Sequence, residues 1–206
     1  MLFRSANIVA HELGHNFGLA HAEQDVQASI MRPSAEALVC PTAVESSWLG
    51  WSEPFARLKV EQMPSAVWYT YHIPAAQLST GRAYSRNHVV LLSSSDDDAL
   101  RLSYREAING DDELDIGDTV FVQGSIATGR GSIASEDVAR LDHDHRQATV
   151  PAFPVVLRLQ GKKGSFAEVS ICKFDAEEGD ERPCLESKEK ARSEERRVGK
   201  ECFLLC

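Results

Sequence analysis

The sequence predicts an α+β fold, in which a short helical part is followed by an antiparallel, β-sandwich-like part. Residues 6–17 contain no proline and place apolar side chains at helical spacing. Beyond Trp51, short alternating runs rich in Val, Trp and Tyr are separated by turn-forming sequences, a pattern typical of sandwiches and small barrels. We therefore divide the chain into a helical part at 1–56, a β-rich part at 57–175 and a disordered, charged tail at 176–206.

The first predicted element is a helix over residues 6–17, capped by Ser5. Its apolar stripe consists of Ile8, Val9, Leu13 and Phe17. Glycine at position 14 costs up to about 1 kcal/mol relative to alanine inside a helix, so we expect it to admit another chain segment. Gly18 ends the helix, because glycine adopts a positive φ without steric cost.

This helix contains the most informative sequence of the chain, His11-Glu12-Leu13-Gly14-His15, which is followed by Gly18 and His21. Residues four apart share a helix face, and the bend at Gly18 lets His21 approach from another direction. Three histidines are typical ligands of a catalytic zinc ion, which keeps its fourth position for water. Glu12 is suited to act as the general base toward that water. The alternatives are a surface helix with incidental histidines and a degenerate pseudo-enzyme.

The pattern HExxHxxGxxH resembles the zinc-binding signature of the metzincin peptidases. The resemblance implies that residues 1–56 are the C-terminal portion of a metzincin catalytic domain. It also implies a methionine in a tight turn beneath the zinc ion. Met31, ten residues after His21 and shortly before Pro33, is the candidate for this Met-turn. The alternative is an ordinary core methionine.

Three later segments narrow the resemblance to the gametolysin family, the cell-wall-lytic metallopeptidases of green algae. They are Cys40-Pro41-Thr42-Ala43, Trp48-Leu49-Gly50-Trp51 and Leu102-Ser103-Tyr104-Arg105. The family implies a secreted zinc endopeptidase that acts on proteins or glycoproteins of the extracellular matrix or cell wall. Metzincins carry a substrate-pairing sheet ahead of the zinc helix, which the sequence does not include. We therefore expect negligible peptidase activity from these 206 residues alone.

The β-rich part contains seven strand-like runs, at 57–62, 66–73, 88–92, 100–105, 118–122, 155–159 and 167–174. We expect His72 and His88 to pack within strands, and His143 and His145 to lie in a surface loop rather than bind a metal. The acidic runs 96–98 and 111–113 fit no EF-hand spacing and are predicted to be solvated turns.

Aromatic residues give two alternatives. Trp48 and Trp51 are expected to pack in the protein, with a substrate-facing role as the alternative. Trp68, Tyr69 and Tyr71 are expected in the core. Were they exposed on one strand face, they would suit a non-catalytic extracellular module that binds glycan or protein, with a vestigial peptidase segment.

Cys172 and Cys184 flank an acidic loop and could form a disulfide, whose closure would contribute about 3 kcal/mol. Cys40 could pair with a cysteine outside this sequence; the alternative is that all three are buried thiols. Residues 192–202 resemble a translated sequencing-library adapter, so we expect 192–206 to be artefactual.

The net charge of −9 argues against a nucleic-acid partner, because such binding needs Lys and Arg to neutralise phosphates. No apolar run approaches the roughly 20 residues of a membrane-spanning helix. The sequence indicates no particular oligomeric state.

Overall fold

The computed structural model describes residues 2–22, 26, 29–32, 40–76, 85–92, 99–106, 118–128, 131–175 and 181–186, with the backbone alone for 2–7 and 85–87. Within these ranges there are three α-helices: α1 (Leu2–Asn16), α2 (Ala43–Trp48) and α3 (Arg182–Glu186). Nine β-strands follow one another in the chain: β1 (Ser52–Lys59), β2 (Trp68–Pro74), β3 (Ser85–Leu92), β4 (Ala99–Arg105), β5 (Thr119–Ala127), β6 (Ile133–Leu141), β7 (Gln147–Val150), β8 (Val155–Lys163) and β9 (Phe166–Lys173).

The strands form two sheets, one with the order β1-β3-β4-β5-β6 and the other with the order β2-β9-β8-β7. Every pairing is antiparallel except that between β1 and β3, which is parallel. Alternate residues of each strand turn their apolar side chains into one shared core, which includes Val89 and Leu91 from the first sheet and Leu157 and Ile171 from the second. The α+β class with mostly antiparallel sheets is confirmed.

Several element boundaries differ from the prediction. Helix α1 begins at Leu2, so Ser5 lies inside the helix and does not cap it. The run predicted as a strand at 57–62 is split, because β1 ends at Lys59 and residues Val60–Gln62 form a 3-10 turn. Strands β6 and β7 were not predicted. Both lie at sheet edges. Strand β7 has only four residues, and β6 contains the charged residues Glu136, Asp137 and Arg140, so neither has a strong apolar signal.

The helical and β-rich parts are joined by backbone hydrogen bonds. Just after α1, the Gly18 carbonyl accepts from the Ile133 amide (3.0 Å), and the Ala20 amide donates to the Ile133 carbonyl (2.8 Å). The chain leaving α1 therefore pairs with the start of β6. Strand β1 begins at Ser52, before the predicted boundary at residue 57, and the division into two domains remains a prediction.

The segment after β9 is anchored to the second sheet. Cys172 of β9 and Cys184 of α3 are joined by a disulfide, and both side chains are buried beside Trp68 and Phe174. Residues 182–186, which we predicted to belong to a disordered tail, therefore form a docked helical turn. None of the helices in the described ranges is long and apolar enough to cross a membrane.

Candidate metal centre

Helix α1 is terminated by Gly18, as the sequence predicts. Gly18 has φ +82°, its amide donates to the His15 carbonyl (3.1 Å), and the Leu19 amide donates to the Gly14 carbonyl (2.9 Å). These two bonds form the Schellman motif that follows a helix when glycine occupies the left-handed position. The helix therefore ends at Asn16, and the turn at Gly18 redirects the chain so that His21 can return toward His15.

The three predicted histidines come together. Their ring centroids are 4.8 Å apart for His11 and His15, 5.1 Å for His11 and His21, and 4.8 Å for His15 and His21. One ring nitrogen from each lies within 4.8 Å of the others, and Nε2 of His15 is 3.2 Å from Nε2 of His21. His15 and His21 are exposed and His11 is partly buried, so the cluster opens to solvent.

Two of the rings are oriented by backbone carbonyls. The Nδ1 atom of His11 donates to the carbonyl of Ile30 (3.0 Å), and Nδ1 of His15 donates to the carbonyl of Leu19 (2.8 Å). Because a carbonyl can only accept, these bonds assign the proton to Nδ1 and leave a lone pair on each Nε2. A backbone carbonyl on the second ring nitrogen is the usual outer-shell partner of a metal-bound histidine.

The geometry fits a zinc ion. Two nitrogens at 2.0–2.1 Å from a tetrahedral zinc are about 3.3 Å from each other, close to the 3.2 Å between Nε2 of His15 and Nε2 of His21. Desolvation lowers the pKa of His21, the charges of His15 and His11 lower it further, and Glu12 acts in the opposite direction. The neutral imidazole is the form that binds metals. Glu12 is exposed and lies beside this cluster on α1.

Met31 lies beneath helix α1, against the glycine inside the helix. A Cβ placed on Gly14 would be 2.4 Å from Sδ of Met31, so only glycine permits this approach. Met31 is buried, and its carbonyl accepts from the Ala22 amide (3.1 Å), next to His21. The expectation that Gly14 admits another segment thus has a specific partner in the structure.

Sequence reasoning missed a buried polar network beside Met31. The carboxylate of Glu45 in α2 accepts from the Ser29 hydroxyl, from the Thr42 amide (2.7 Å) and from the Ile30 amide (3.4 Å). Burial raises the pKa of Glu45, while these bonds and the Arg105 guanidinium act to lower it. Thr42 and Glu45 form a capping box, and the pattern Thr-x-x-Glu in the sequence could have revealed half of this network.

Among the described residues, a second cluster of possible ligands lies in the turn between β6 and β7 and consists of Asp142, His143 and Asp144. Asp142 accepts from the amides of Asp144 (2.9 Å) and His145 (2.7 Å), so it stabilises the turn itself. His143 and His145 are exposed, in agreement with a surface loop.

The histidines predicted to pack within strands behave differently from each other. His88 is buried in β3, and burial, followed by the charges of Arg101 and Arg57, lowers its pKa to about 3. His72 is exposed instead and lies 3.7 Å from Glu168, so its predicted packing was wrong. The acidic runs 96–98 and 111–113 lie outside the described residues.

The aromatic residues also divide. Trp68 is buried with the Arg158 guanidinium 4.6 Å above its ring, and Tyr69 and Tyr71 pack against the shared core, so these side chains do not form an exposed glycan platform. Trp48 and Trp51 were predicted to pack, yet about half of each is exposed. Trp48 contributes through its indole N–H, which donates to the Phe17 carbonyl (2.9 Å) at the end of α1.

Comparison with known protein families places most of the chain in a family of peptidases. The family model described as Gametolysin peptidase M11 matches residues 2–142, which include α1, the three histidines and all strands of the first sheet. No curated protein and no solved structure matches the chain significantly.

Proposed function

The chain belongs to the gametolysin peptidase family, and we propose that it is a zinc-dependent metalloendopeptidase. The observation that supports this most directly is the convergence of His11, His15 and His21, two of which have Nδ1 bonded to backbone carbonyls. We assign His11, His15 and His21 as zinc ligands and Glu12 as the general base. Met31 is proposed to be the Met-turn residue that supports the helix beneath the site.

The proposed role of each residue follows from its position. When bound, zinc supplies a Lewis acid that lowers the pKa of water toward about 7. Glu12 accepts a proton from the attacking water and passes it to the nitrogen of the leaving amine. The carbonyls of Ile30 and Leu19 hold the imidazoles in the tautomer that presents Nε2. The exposed face of the cluster leaves room for an extended peptide.

The substrate and location are proposed from the family. A peptidase acts on protein, and from the gametolysin family we propose that the substrates are cell-wall or extracellular-matrix glycoproteins outside the cell. The disulfide between Cys172 and Cys184 supports this location, because such bonds persist mainly in oxidising compartments.

The test combines zinc binding with peptide cleavage. Zinc affinity is measured by competition with a chelating indicator on the 206-residue chain, and cleavage of an unfolded protein substrate is measured on the full-length protein. Glu12→Gln should abolish cleavage and retain zinc, because the amide cannot accept the proton of the water. Glu61→Gln, which alters an exposed carboxylate in the 3-10 turn after β1, is the matched control. Undiminished cleavage by Glu12→Gln would refute the assigned base.

A further inference from the structure

We propose that Glu45 is a positioning residue for the metal centre. Through its bonds to Ser29 and to the Ile30 amide, Glu45 keeps the Ile30 carbonyl in hydrogen-bond contact with His11. The proposal rests on the proposed function, since it assigns a role toward the same zinc site. Glu45 touches no proposed ligand and lies in a different helix, α2.

The orientation of the His11 ring depends on a loop that is distant in the sequence. The only backbone atom bonded to the His11 ring in the described part of the chain is the Ile30 carbonyl, nineteen residues further along the sequence. His15, in contrast, is bonded to Leu19 in the glycine turn of its own helix. The orientation of His11 is therefore set by whatever fixes the loop at 29–31.

Glu45 fixes this loop through hydrogen bonds to two of its residues, Ser29 and Ile30. One carboxylate oxygen accepts from the Ser29 hydroxyl, and the other accepts from the Ile30 amide (3.4 Å). The Ser29 oxygen in turn accepts from the Met31 amide (2.9 Å). Ile30, whose carbonyl accepts from His11, thus has its own amide bonded to Glu45 and the following amide, that of Met31, bonded to Glu45 through Ser29.

The contact between Glu45 and the loop is buried, so solvent cannot replace a lost hydrogen bond there. Glu45 is 1% exposed, Ser29 is fully buried, and Ile30 and Met31 belong to the same buried apolar cluster. Removing a partner inside such a site leaves donors without an acceptor, which displaces the backbone or admits disorder. Arg105 secures the segment on which Glu45 stands, because its guanidinium donates to the carbonyls of Cys40 (2.8 Å) and Pro41 (2.6 Å).

The test compares two buried hydroxyls that both belong to the network. Ser29→Ala removes the bond from the loop to Glu45, whereas Thr42→Val removes the hydroxyl that caps α2 and leaves the loop contacts in place. Both residues are fully buried, so the costs of losing a hydroxyl are comparable. Zinc affinity of the full chain should fall about 10- to 100-fold in Ser29→Ala, the range for outer-shell partners, and should change little in Thr42→Val.

Variants of Glu45 provide the second arm. Glu45→Ala should weaken zinc binding at least as much as Ser29→Ala. Glu45→Gln should restore most of it, because its amide oxygen can accept from the Ile30 and Thr42 amides while its NH₂ group donates to Ser29. Leu157→Ala, in the core far along the chain, is the control for lost stability without a lost loop contact. The visible absorption of bound Co²⁺ reports ligand geometry independently of affinity and should change in Glu45→Ala but not in Leu157→Ala.

The outcomes separate the two proposals. If the parent chain binds zinc and loses it in His11→Ala, but Ser29→Ala and Thr42→Val have equal effects, the role of Glu45 is refuted and the metal site stands. A Glu45→Ala chain that stays folded with parental zinc affinity and Co²⁺ absorption would refute it as well. If the parent chain binds no zinc at all, the proposed metal site fails, and the positioning role fails with it.

Discussion

The candidate metal-centre region, formed by α1, the 29–31 loop and α2, and the two-sheet region, formed by β1–β9, are held together in different ways. Among the described residues, the core shared by the two sheets contains twenty buried side chains, whereas the apolar cluster beside α1 contains five. Four large apolar side chains of the α1 region are between 49% and 60% exposed: Ile8, Val9, Leu13 and Phe17. The histidine geometry therefore depends on directed hydrogen bonds and on the close contact of Gly14 with Met31, and less on apolar burial.

Because the two regions are stabilised differently, substitutions in them should alter different properties. Loss of a hydrogen bond near the histidines should change the orientation of a proposed ligand, so it should affect zinc affinity more than the melting temperature. Loss of a buried contact between the sheets should do the opposite. Measuring both quantities for each variant tests the comparison directly.

Removal of a proposed ligand should reduce zinc affinity more than any of the other substitutions. His11→Ala should reduce zinc affinity by more than the about 100-fold typical of an outer-shell loss, because one of three converging nitrogens is removed. His143→Ala, in the turn between β6 and β7, is the matched control and should leave affinity unchanged, since its neighbour Asp142 is already bonded to the backbone of the turn. A larger effect of His143→Ala would mean that zinc binds in the two-sheet region instead.

The next largest effect is expected in the two-sheet region, on stability alone. Replacing both Cys172 and Cys184 by alanine removes a cross-link between residues twelve positions apart. This should lower the free energy of unfolding by about 3 kcal/mol. Thermal denaturation should then show a fall of about 6–12 °C for a chain of this size. Zinc affinity at low temperature should match that of the parent chain. A marked fall in zinc affinity would show that the sheets and the histidines are coupled more strongly than we infer.

A smaller effect is expected from Gly14→Ala. Alanine is favoured in a helix by up to about 1 kcal/mol, yet its Cβ would be 2.4 Å from Sδ of Met31. The displaced Met31 should lower zinc affinity about tenfold, within the range of outer-shell effects.

A double-mutant cycle identifies the cause of that loss. Met31→Ala provides space for the added methyl group, so Gly14→Ala should cost less in the Met31→Ala background, with a coupling of about 1 kcal/mol. Additive effects, or a higher melting temperature of Gly14→Ala with parental zinc affinity, would contradict the packing of Met31 against this helix position.

The sequence predicted the parts of the site that depend on neighbours along the chain. The spacing of His11 and His15 and the glycine at position 18 encode a helix face and its termination, and these features need no distant contact. The buried network around Glu45 was missed, because the bonds from Glu45 to Ser29 and Ile30 join residues 15 or more positions apart and no periodicity records them. Local rules indicate only its capping box, which lies within four residues.

The same distinction explains the β-rich part. Runs with strong alternation, such as those in β4, β8 and β9, were predicted because their buried faces are apolar. Strand β6 was missed, since it contains Glu136, Asp137 and Arg140, and its place is set by pairing with β5. The exposed apolar stripe of α1 shows the converse, because periodicity correctly predicts a helix but does not reveal which of its faces is covered.

The smallest expected effect concerns an ion pair at the rim of the sheets and its dependence on pH. Asp118 accepts from Lys162 (2.8 Å) and from the Tyr104 hydroxyl (3.0 Å), and the Lys162 bond is the main cause that lowers the pKa of Asp118. A lowered pKa in the folded state means that the carboxylate stabilises the protein above its unfolded pKa of about 4. That contribution is lost as the pH falls through the lower, folded value.

Asp118→Asn isolates this charge, because asparagine also tolerates the positive φ of 51° at this position. The side chain is 55% exposed, so solvent screening should limit the loss of stability at neutral pH to about 1 kcal/mol or less. Chemical denaturation at a series of pH values should show the difference from the parent shrinking once the pH falls below about 4, where the parent carboxylate becomes protonated. If the difference persists unchanged at lower pH, the loss of stability is due to packing. If Asp118→Asn has the same zinc affinity as the parent chain, the effect is confined to the two-sheet region.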